Sequence, residues 1–238
     1  KILIAGGGTG GHLFPALAIG EEIHRREPNA KIHYVGSSFG LEARVFPVKD
    51  VWHTLLPIRG FQRGLSLQSL GRNFLLPPRI IRSMIKMRSL LSDFLPEVVV
   101  GTGGYASALP LYMASRKSEP LPIILQEQNS YPGVTTRWFS EKAKTICIAF
   151  KEANNYLESE TILTGNPVRQ GIEKGLRENA KKEFNLNPDE LTIFLFGGSQ
   201  GSAYLNKMMT RVVNNIASAG LQVLWQTGDL EYQKYKQH

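Results

Sequence analysis

The sequence predicts an α/β protein built on parallel β-sheets, and three observations support this class. Short apolar strands alternate with helical stretches along most of the 238 residues. Three of the strands run directly into glycine-rich loops. A unit of strand, glycine loop and helix occurs near both ends of the chain, which indicates two Rossmann-like domains.

The alternation begins at the amino terminus. Residues 1–5 form a short apolar segment typical of a buried strand, and apolar residues then recur at helical spacing between residues 13 and 23. Further strands are predicted for the segments "KIHYVG", "EVVVG", "PIILQ" and "TICIA", with a helical stretch between successive ones. Because strands connected in this way are parallel, we expect one sheet with helical crossovers.

The pattern pauses at residues 161–169 and then resumes. A charged helix leads to the strand and loop "LTIFLFGGSQG", to a helix with apolar residues between 205 and 216, and to the strand "LQVLWQTG". We therefore predict a first domain at 1–164 and a second at 165–238. The second part holds two clear strands, too few to bury both faces of a parallel sheet, so we expect it to be an incomplete domain.

Composition narrows the range of partners. The chain is 42% hydrophobic and 20% charged, carries a net charge of +8, and has one cysteine, so a globular protein of a reducing, cytoplasmic compartment is expected. The excess of Lys and Arg favours an anionic partner, such as nucleic acid, a membrane surface or a phosphorylated substrate, or serves solubility alone. Because the aromatic stacking platform of single-strand binders is missing, we predict no nucleic acid.

The first glycine loop has the spacing of a phosphate-binding loop. Gly6, Gly8 and Gly11 match G-x-G-x-x-G between a strand and a helix, where backbone N–H groups can bind phosphate. A dinucleotide site would also need an acidic residue at the end of the second strand. That strand ends in "YVGSS". A nicotinamide-dependent oxidoreductase is therefore the weaker alternative.

Two more glycine loops, "GTGGYAS" and "FGGSQGS", also follow strands. One such loop alone can reflect tight packing of a helix on a strand. Three of them at the carboxyl ends of strands favour ligand binding, because ligands of open α/β sheets bind at that edge. We expect the ligand to carry one or two diphosphates.

Five motifs in order, "GGTGGHLFPALA", "GTGGYAS", "QEQNSYPG", "TGNPVR" and "FGGSQG", resemble the MurG family of bacterial glycosyltransferases. The resemblance implies the GT-B fold, in which two Rossmann-like domains face a cleft. It implies inverting transfer of N-acetylglucosamine from UDP-N-acetylglucosamine to lipid I, undecaprenyl-diphosphate-N-acetylmuramoyl-pentapeptide, which forms lipid II for peptidoglycan. Another UDP-sugar-dependent lipid glycosyltransferase remains an alternative.

The resemblance also implies roles for individual residues. The first domain would bind the acceptor and the membrane, and the second would bind the UDP-sugar. Donor contacts are expected at Thr9, Gly10, Gly11, Asn129, Arg169 and Ser199. The acceptor diphosphate is expected at Gly103, Gly104 and Tyr105. Part of the donor site would lie beyond residue 238.

Inverting transfer needs a base for the acceptor hydroxyl and positive potential for the leaving diphosphate. His12 is the candidate base, because histidine titrates near neutral pH and this one lies at the edge of the first loop. Alternatively, His12 only donates a hydrogen bond to a phosphate or caps the helix. No cluster has metal-ligand spacing, so we predict no metal or other cofactor, although a magnesium ion on the diphosphate stays open.

Two acidic residues are close to the predicted loops. Glu42 follows the second strand in "GLEARVFP" and is expected on a solvated helix face. Glu127 follows a later strand and either orients a substrate hydroxyl or anchors its loop. We assign a catalytic role to neither.

The segment 69–90 mixes aliphatic and basic residues. One helical face can bury Ile80, Met84, Met87 and Leu91, which leaves other apolar residues without a core. Apolar residues ringed by arginines are typical of a membrane-interface patch. The predicted patch consists of Phe74, Leu75, Ile81, Ile85, Arg79 and Arg82. With the resemblance, this implies a peripheral protein on the cytoplasmic face of the bacterial inner membrane, with other cell-wall synthesis proteins as further partners.

Overall fold

A computed structural model describes residues 1–60, 74, 76–172, 175–198 and 201–237. The chain divides into two compact units, 1–170 and 171–238. The sequence placed this division a few residues earlier, between 164 and 165. The connecting segment up to Gln170 packs with the first unit, because the Gln170 amide donates to Glu22 Oε2 at 2.9 Å.

The first unit is a parallel sheet in the order β3-β2-β1-β4-β5-β6-β7. Every neighbouring pair is parallel. The strands are β1 (Ile2–Ala5), β2 (Ile32–Ser37), β3 (His53–Leu56), β4 (Val98–Gly101), β5 (Ile123–Glu127), β6 (Thr145–Ile148) and β7 (Thr161–Leu163). The α/β class predicted from the sequence is confirmed. Two strands, β3 and β7, were not predicted; they are short and form the two edges.

Helices cover both faces of this sheet, as a parallel sheet requires. They are α1 (Gly10–Arg26), α2 (Glu42–Val48), α3 (Leu76–Phe94), α4 (Tyr105–Ser115), α5 (Val134–Phe139) and a 3₁₀ helix (Lys151–Tyr156). Alternate residues of β1 enter opposite cores. Leu3 and Ala5 pack with Met87 and Leu111 on one face, and Ile4 packs with Leu13 on the other.

Helix α3 packs differently from the sequence prediction. Its buried residues are Ser83, Met87, Leu91 and Phe94. Ile80 and Met84, which were expected in the core, are 44% and 38% exposed. The prediction was wrong for these two, because the buried stripe begins at Ser83: Met84 lies one position beside it, and Ile80 lies one turn before it.

The second unit is a two-stranded parallel sheet with helices. Its elements are α6 (Arg177–Glu183), β8 (Thr192–Phe196), α7 (Ala203–Ser218), β9 (Gln222–Gln226) and α8 (Tyr232–Tyr235). Phe194 and Phe196 contact each other on one sheet face and are about 60% exposed. The described residues of this unit therefore leave that face uncovered, as the small number of predicted strands implied.

The packing of α1 on β2 yields a stability prediction. A methyl group on Gly20 would lie 1.8 Å from Tyr34 Oη, and Tyr34 is buried. Burial raises the pKa of the Tyr34 phenol to about 12, so its hydroxyl stays protonated at neutral pH. Gly20→Ala should lower the free energy of unfolding by ~1–3 kcal/mol, because overpacking outweighs the ~1 kcal/mol gain in helix propensity.

Urea unfolding measures this effect. Gly11→Ala is the matched control in the same helix, since the nearest atom to its added methyl is Thr9 Oγ1 at 3.8 Å. A Gly20→Ala protein as stable as the Gly11→Ala protein would contradict the described contact.

Candidate functional site

The site lies where the strand order of the first sheet reverses. Strand β1 pairs with β2 on one side and with β4 on the other. The connections that leave β1 and β4 therefore diverge, which opens a crevice at the carboxyl ends of these strands, the usual ligand position in such sheets. The first and second glycine loops follow these two strands.

The two loops touch each other through backbone atoms. Gly103 and Gly104 adopt φ angles of 93° and 77°, which favour glycine. A methyl group on Gly104 would lie 2.2 Å from the Gly7 carbonyl oxygen. A methyl group on Gly103 would lie 2.8 Å from His12 Nδ1. These glycines, predicted as acceptor contacts, thus also permit the close approach of the two loops.

Helix α1 begins at the end of the first loop with unsatisfied backbone donors. Its N-cap Thr9 makes no side-chain capping bond, and no acidic residue occupies the first turn. Within the described part of the chain, no group accepts a hydrogen bond from the N–H of Gly10 or Gly11. Gly11 and Thr9 are exposed, and Gly10 between them is buried. The positive end of the helix dipole is therefore available to an anion.

The imidazole of His12 has a defined tautomer. Its Nδ1 lies 3.0 Å from the Thr102 carbonyl oxygen and 3.1 Å from Gln128 Oε1. Because a carbonyl oxygen can only accept, Nδ1 carries the proton. The lone pair of the neutral ring then resides on Nε2, which has no hydrogen-bond partner among the described residues.

Further hydrogen bonds fix both partners of His12. Thr102 is buried, and its Oγ1 donates to the His12 carbonyl oxygen at 2.7 Å. The Gln128 amide nitrogen donates to the Thr102 carbonyl oxygen at 2.8 Å and to Gln126 Oε1. Sequence reasoning missed Thr102 and Gln128, although both lie inside the quoted motifs "GTGG" and "QEQN". Nothing local distinguishes them from their neighbours.

Glu42 is completely buried, which overturns the expectation of a solvated helix face. Its Oε2 accepts from Gly8 N at 2.9 Å, and its Oε1 accepts from Ser37 N at 2.7 Å. The physical reason is that these backbone donors at the ends of β1 and β2 satisfy the carboxylate without water.

Glu127 is also buried, and it anchors its loop. Its Oε1 accepts from the backbone and side-chain nitrogens of Asn129 at 3.0 and 2.9 Å. Its Oε2 accepts from Gly133 N at 3.0 Å. Asn129 is exposed, and its amide oxygen has no partner among the described residues. The predicted donor contact at Asn129 therefore keeps one free acceptor.

Tyr105 and Arg169, two further predicted ligand contacts, each interact with a side chain of the first unit. The Tyr105 hydroxyl donates to Ser37 Oγ at 3.4 Å, and burial raises the pKa of the Tyr105 phenol. Arg169 stacks on the ring of Phe14, with Cζ 4.4 Å from the ring centroid. Phe14 belongs to α1, so Arg169 lies against the same helix as His12.

The third glycine loop is described only in part. Ser199, the remaining predicted donor contact, lies outside the described residues. Gly201 has a φ angle of 74°, and a methyl group on it would lie 2.0 Å from the Thr227 carbonyl oxygen. Gly201 is therefore needed for close backbone packing against the loop that follows β9.

The predicted membrane patch is mostly exposed. Phe74, Ile81 and Ile85 are 84%, 59% and 64% exposed, as expected, although Ile80 and Met84 do not form the buried face on which that expectation was based. Arg82 is exposed as well. Leu75 lies outside the described residues.

Arg79 differs from this expectation. It is half-buried, and its guanidinium lies over the ring of Phe39, with Cζ 5.1 Å from the ring centroid. Because its guanidinium stacks on this ring, Arg79 is not one of the exposed basic residues of the patch.

No group of three or more His, Cys, Asp or Glu residues in the described part of the chain is arranged to hold a metal ion. Among the described helices, none has the length and apolar character needed to cross a bilayer.

Comparisons with known proteins point to one group of enzymes. A relative from Christiangramia forsetii, 38% identical over 246 residues, covers all of this chain with 64% of its own length. A relative from Bacteroides thetaiotaomicron, 40% identical, covers 98% of the chain with 62% of its length. Both are named UDP-N-acetylglucosamine--N-acetylmuramyl-(pentapeptide) pyrophosphoryl-undecaprenol N-acetylglucosamine transferase.

The fold comparison agrees in architecture. The crystal structure of Acinetobacter baumannii MurG superposes with a TM-score of 0.64 at 21% identity, over 99% of this chain and 61% of that one. The GT-B class predicted from the sequence is thereby confirmed. The chain spans somewhat less than two thirds of the length of these curated relatives. The model of the glycosyltransferase family 28 N-terminal domain matches residues 2–148, and the chain belongs to this family.

Proposed function

We propose that this chain belongs to an inverting glycosyltransferase that moves N-acetylglucosamine from UDP-N-acetylglucosamine to lipid I and forms lipid II for peptidoglycan. The observation that carries the proposal is the free Nε2 of His12 at the sheet crevice, beside the free N–H groups of Gly10 and Gly11. The names of the relatives supply the substrates.

The chemistry assigns His12 as the general base. Nε2 accepts the proton of the acceptor sugar hydroxyl while its oxygen forms a bond to the anomeric carbon of N-acetylglucosamine. The bond from that carbon to the diphosphate oxygen breaks, and UDP leaves with the electron pair. The imidazolium that forms is stabilised by the two oxygens on Nδ1, those of Thr102 and Gln128.

Backbone donors supply positive potential in this proposal. The N–H groups of Gly10 and Gly11 and the dipole of α1 stabilise phosphate charge next to the base. Arg169, held on Phe14, adds a cation near the same helix. No step of this scheme requires a metal ion, and a magnesium ion on the diphosphate would be compatible with it.

The acceptor is lipid-linked, so the enzyme must meet it at a bilayer. We infer that the exposed patch of Phe74, Ile81 and Ile85 with Arg82 binds the cytoplasmic face of the bacterial inner membrane. Each basic residue near an anionic leaflet contributes ~1 kcal/mol. An exposed aliphatic cluster beside basic side chains fits such a surface. Contacts with other cell-wall synthesis proteins would follow from the shared location.

The first prediction tests the base. In the full-length protein, His12→Ala should lower turnover on the order of 10²-fold or more, with a much smaller effect on donor affinity. Radiolabelled N-acetylglucosamine transfer and UDP-N-acetylglucosamine titration measure the two quantities. His24→Ala, an exposed histidine on the same helix, serves as the control. Near-normal turnover in His12→Ala would remove His12 from the base role.

The second prediction tests whether Gly11 is needed for ligand binding rather than for packing. The methyl group of Gly11→Ala meets only Thr9 Oγ1, so stability should not fall. The methyl group would nevertheless exclude a phosphate from the exposed helix terminus. Losing one charge-assisted hydrogen bond corresponds to ~1.5–3 kcal/mol, so KM for UDP-N-acetylglucosamine should rise about tenfold or more. An unchanged KM for both donor and acceptor would show that no ligand approaches Gly11.

The third prediction tests the membrane surface. The double variant Phe74→Ser, Ile81→Ser should bind less strongly to vesicles that contain anionic lipid, because both side chains are exposed and available for insertion. Thermal stability should stay the same for the same reason. Val48→Ser, at a position 85% exposed on another helix, is the control. Equal vesicle sedimentation of all three proteins would place the membrane contact elsewhere.

A further inference from the structure

The feature that the proposed chemistry does not use is the carboxylate of Glu42. It has no exposed surface, and among the described residues no Lys, Arg or His forms an ion pair with it. Its two oxygens instead accept from the backbone N–H groups of Gly8 and Ser37. Burying a charged group costs free energy because it loses its hydration, and here only backbone N–H groups offset that loss. The position of this carboxylate therefore needs an explanation.

Three glycines pack directly on this side chain. A methyl group on Gly7 would lie 2.4 Å from Glu42 Cδ, and one on Gly40 would lie 2.3 Å from Glu42 Oε2. A methyl group on Gly36 would lie 2.3 Å from Glu42 Cγ. Contacts this short are impossible, so Glu42 itself requires glycine at these three positions.

The first glycine loop thus surrounds an anion that belongs to the protein. In phosphate-binding loops, the glycines let the backbone approach a ligand and donate N–H groups to it. Here the Gly8 N–H is already engaged by Glu42. Among the described residues, unengaged N–H groups remain at Thr9, Gly10 and Gly11, toward the start of α1, and of these three residues Thr9 and Gly11 are exposed. A phosphate therefore finds accessible free donors at that end of the loop.

The loop is held from its other side by the second glycine loop. Gly7 lies against Gly104, and Gly8 lies against the ring of Tyr105. A methyl group added to Gly8 would lie 2.8 Å from the nearest carbon of that ring. Gly103 and Gly104 also pack on the ring of His12. Glu42 fixes the position of the Gly7–Gly8 segment. Because this segment contacts the second glycine loop, which packs on the His12 ring, Glu42 also affects the position of the imidazole.

We propose that Glu42 is a positioning residue: its buried carboxylate fills the first glycine loop as an internal anion, fixes the loop that holds His12, and leaves phosphate binding to the Thr9–Gly11 end. Glu42 cannot act as the base, because it has no surface for a substrate to touch. Its effect on turnover rests on the proposed function. Its effect on the loop does not.

The main test is Glu42→Gln in the full-length protein. The amide keeps the size of the side chain but places an N–H₂ group against one of two backbone donors, so one hydrogen bond is lost. The amide proton signals of Gly8 and Ser37 should move in NMR spectra, and the His12 ring should lose its single Nδ1–H tautomer. Turnover should fall about 10²-fold, as expected for a displaced base, while KM for UDP-N-acetylglucosamine changes little.

Glu127→Gln is the matched control, because Glu127 is a second buried carboxylate held by backbone N–H groups of another loop. It should leave the Gly8 and Ser37 signals unmoved. The proposal is overturned if Glu42→Gln leaves these signals in place, or if it leaves both the His12 tautomer and turnover unchanged. If the unaltered protein transfers no sugar, the proposed function fails, and the NMR signals still decide the role of Glu42.

A double-mutant cycle tests the same packing without relying on the Glu42→Gln variant alone. Gly40 is not among the glycines with positive φ, and the three atoms nearest to its added methyl all belong to Glu42. Gly40→Ala should therefore lower Tm in the protein that keeps Glu42 and move the Gly8 and Ser37 signals. In the Glu42→Ala background, the same substitution should cost little further stability. Equal losses of Tm in both backgrounds would contradict the described packing.

Discussion

The site depends on the backbone contact between two glycine loops at the point where the sheet order reverses. Gly7 and Gly104 approach so closely that no side chain fits between them. This contact brings His12 against Thr102 and Gln128, which are 90 and 116 positions away in the chain. Without it, the imidazole would be an ordinary side chain on the first turn of a helix.

Two buried carboxylates shape the loops at the same sheet edge. Glu42 is held by amides of the loops after β1 and β2, and Glu127 is held by the loop after β5. Charge-assisted hydrogen bonds from backbone N–H groups are stronger than neutral ones and need no cationic side chain. The crevice therefore keeps two negative charges directed into the protein, while free N–H groups remain at the start of α1, where Thr9 and Gly11 are exposed.

The two units differ in how completely they bury their sheets. In the first unit, helices lie on both faces of the sheet, and the exposed apolar residues of α3 are concentrated toward its amino-terminal half. The buried residues Met87, Leu91 and Phe94 hold the other half of that helix on the sheet. In the second unit, Asn206 is a buried polar centre that accepts from Trp225 Nε1 and donates to the Thr227 carbonyl oxygen. It ties α7 to the end of β9, next to the close packing of Gly201.

Local patterns in the amino-acid sequence are sufficient to predict part of this structure. Apolar runs and helical periods identify the central strands β1, β2, β4, β5 and β6, and the glycine motifs identify the loops that follow them. His12 could be selected because a histidine beside a glycine loop is chemically conspicuous. The family motifs then gave the substrate class that the relatives share.

The remaining features follow from contacts between segments that are distant in the sequence, which local patterns do not contain. The edge strands β3 and β7 are only four and three residues long and gain their pairing from neighbours in the sheet. Glu42 has the sequence context of a solvated helix residue, and only the meeting of β1 and β2 provides its two amide donors. Ile80 and Met84 have the period of core residues, but the side of α3 that is buried runs from Ser83 through Met87 and Leu91 to Phe94. Local pattern specifies which residues can be buried, and the sheet order specifies which ones are.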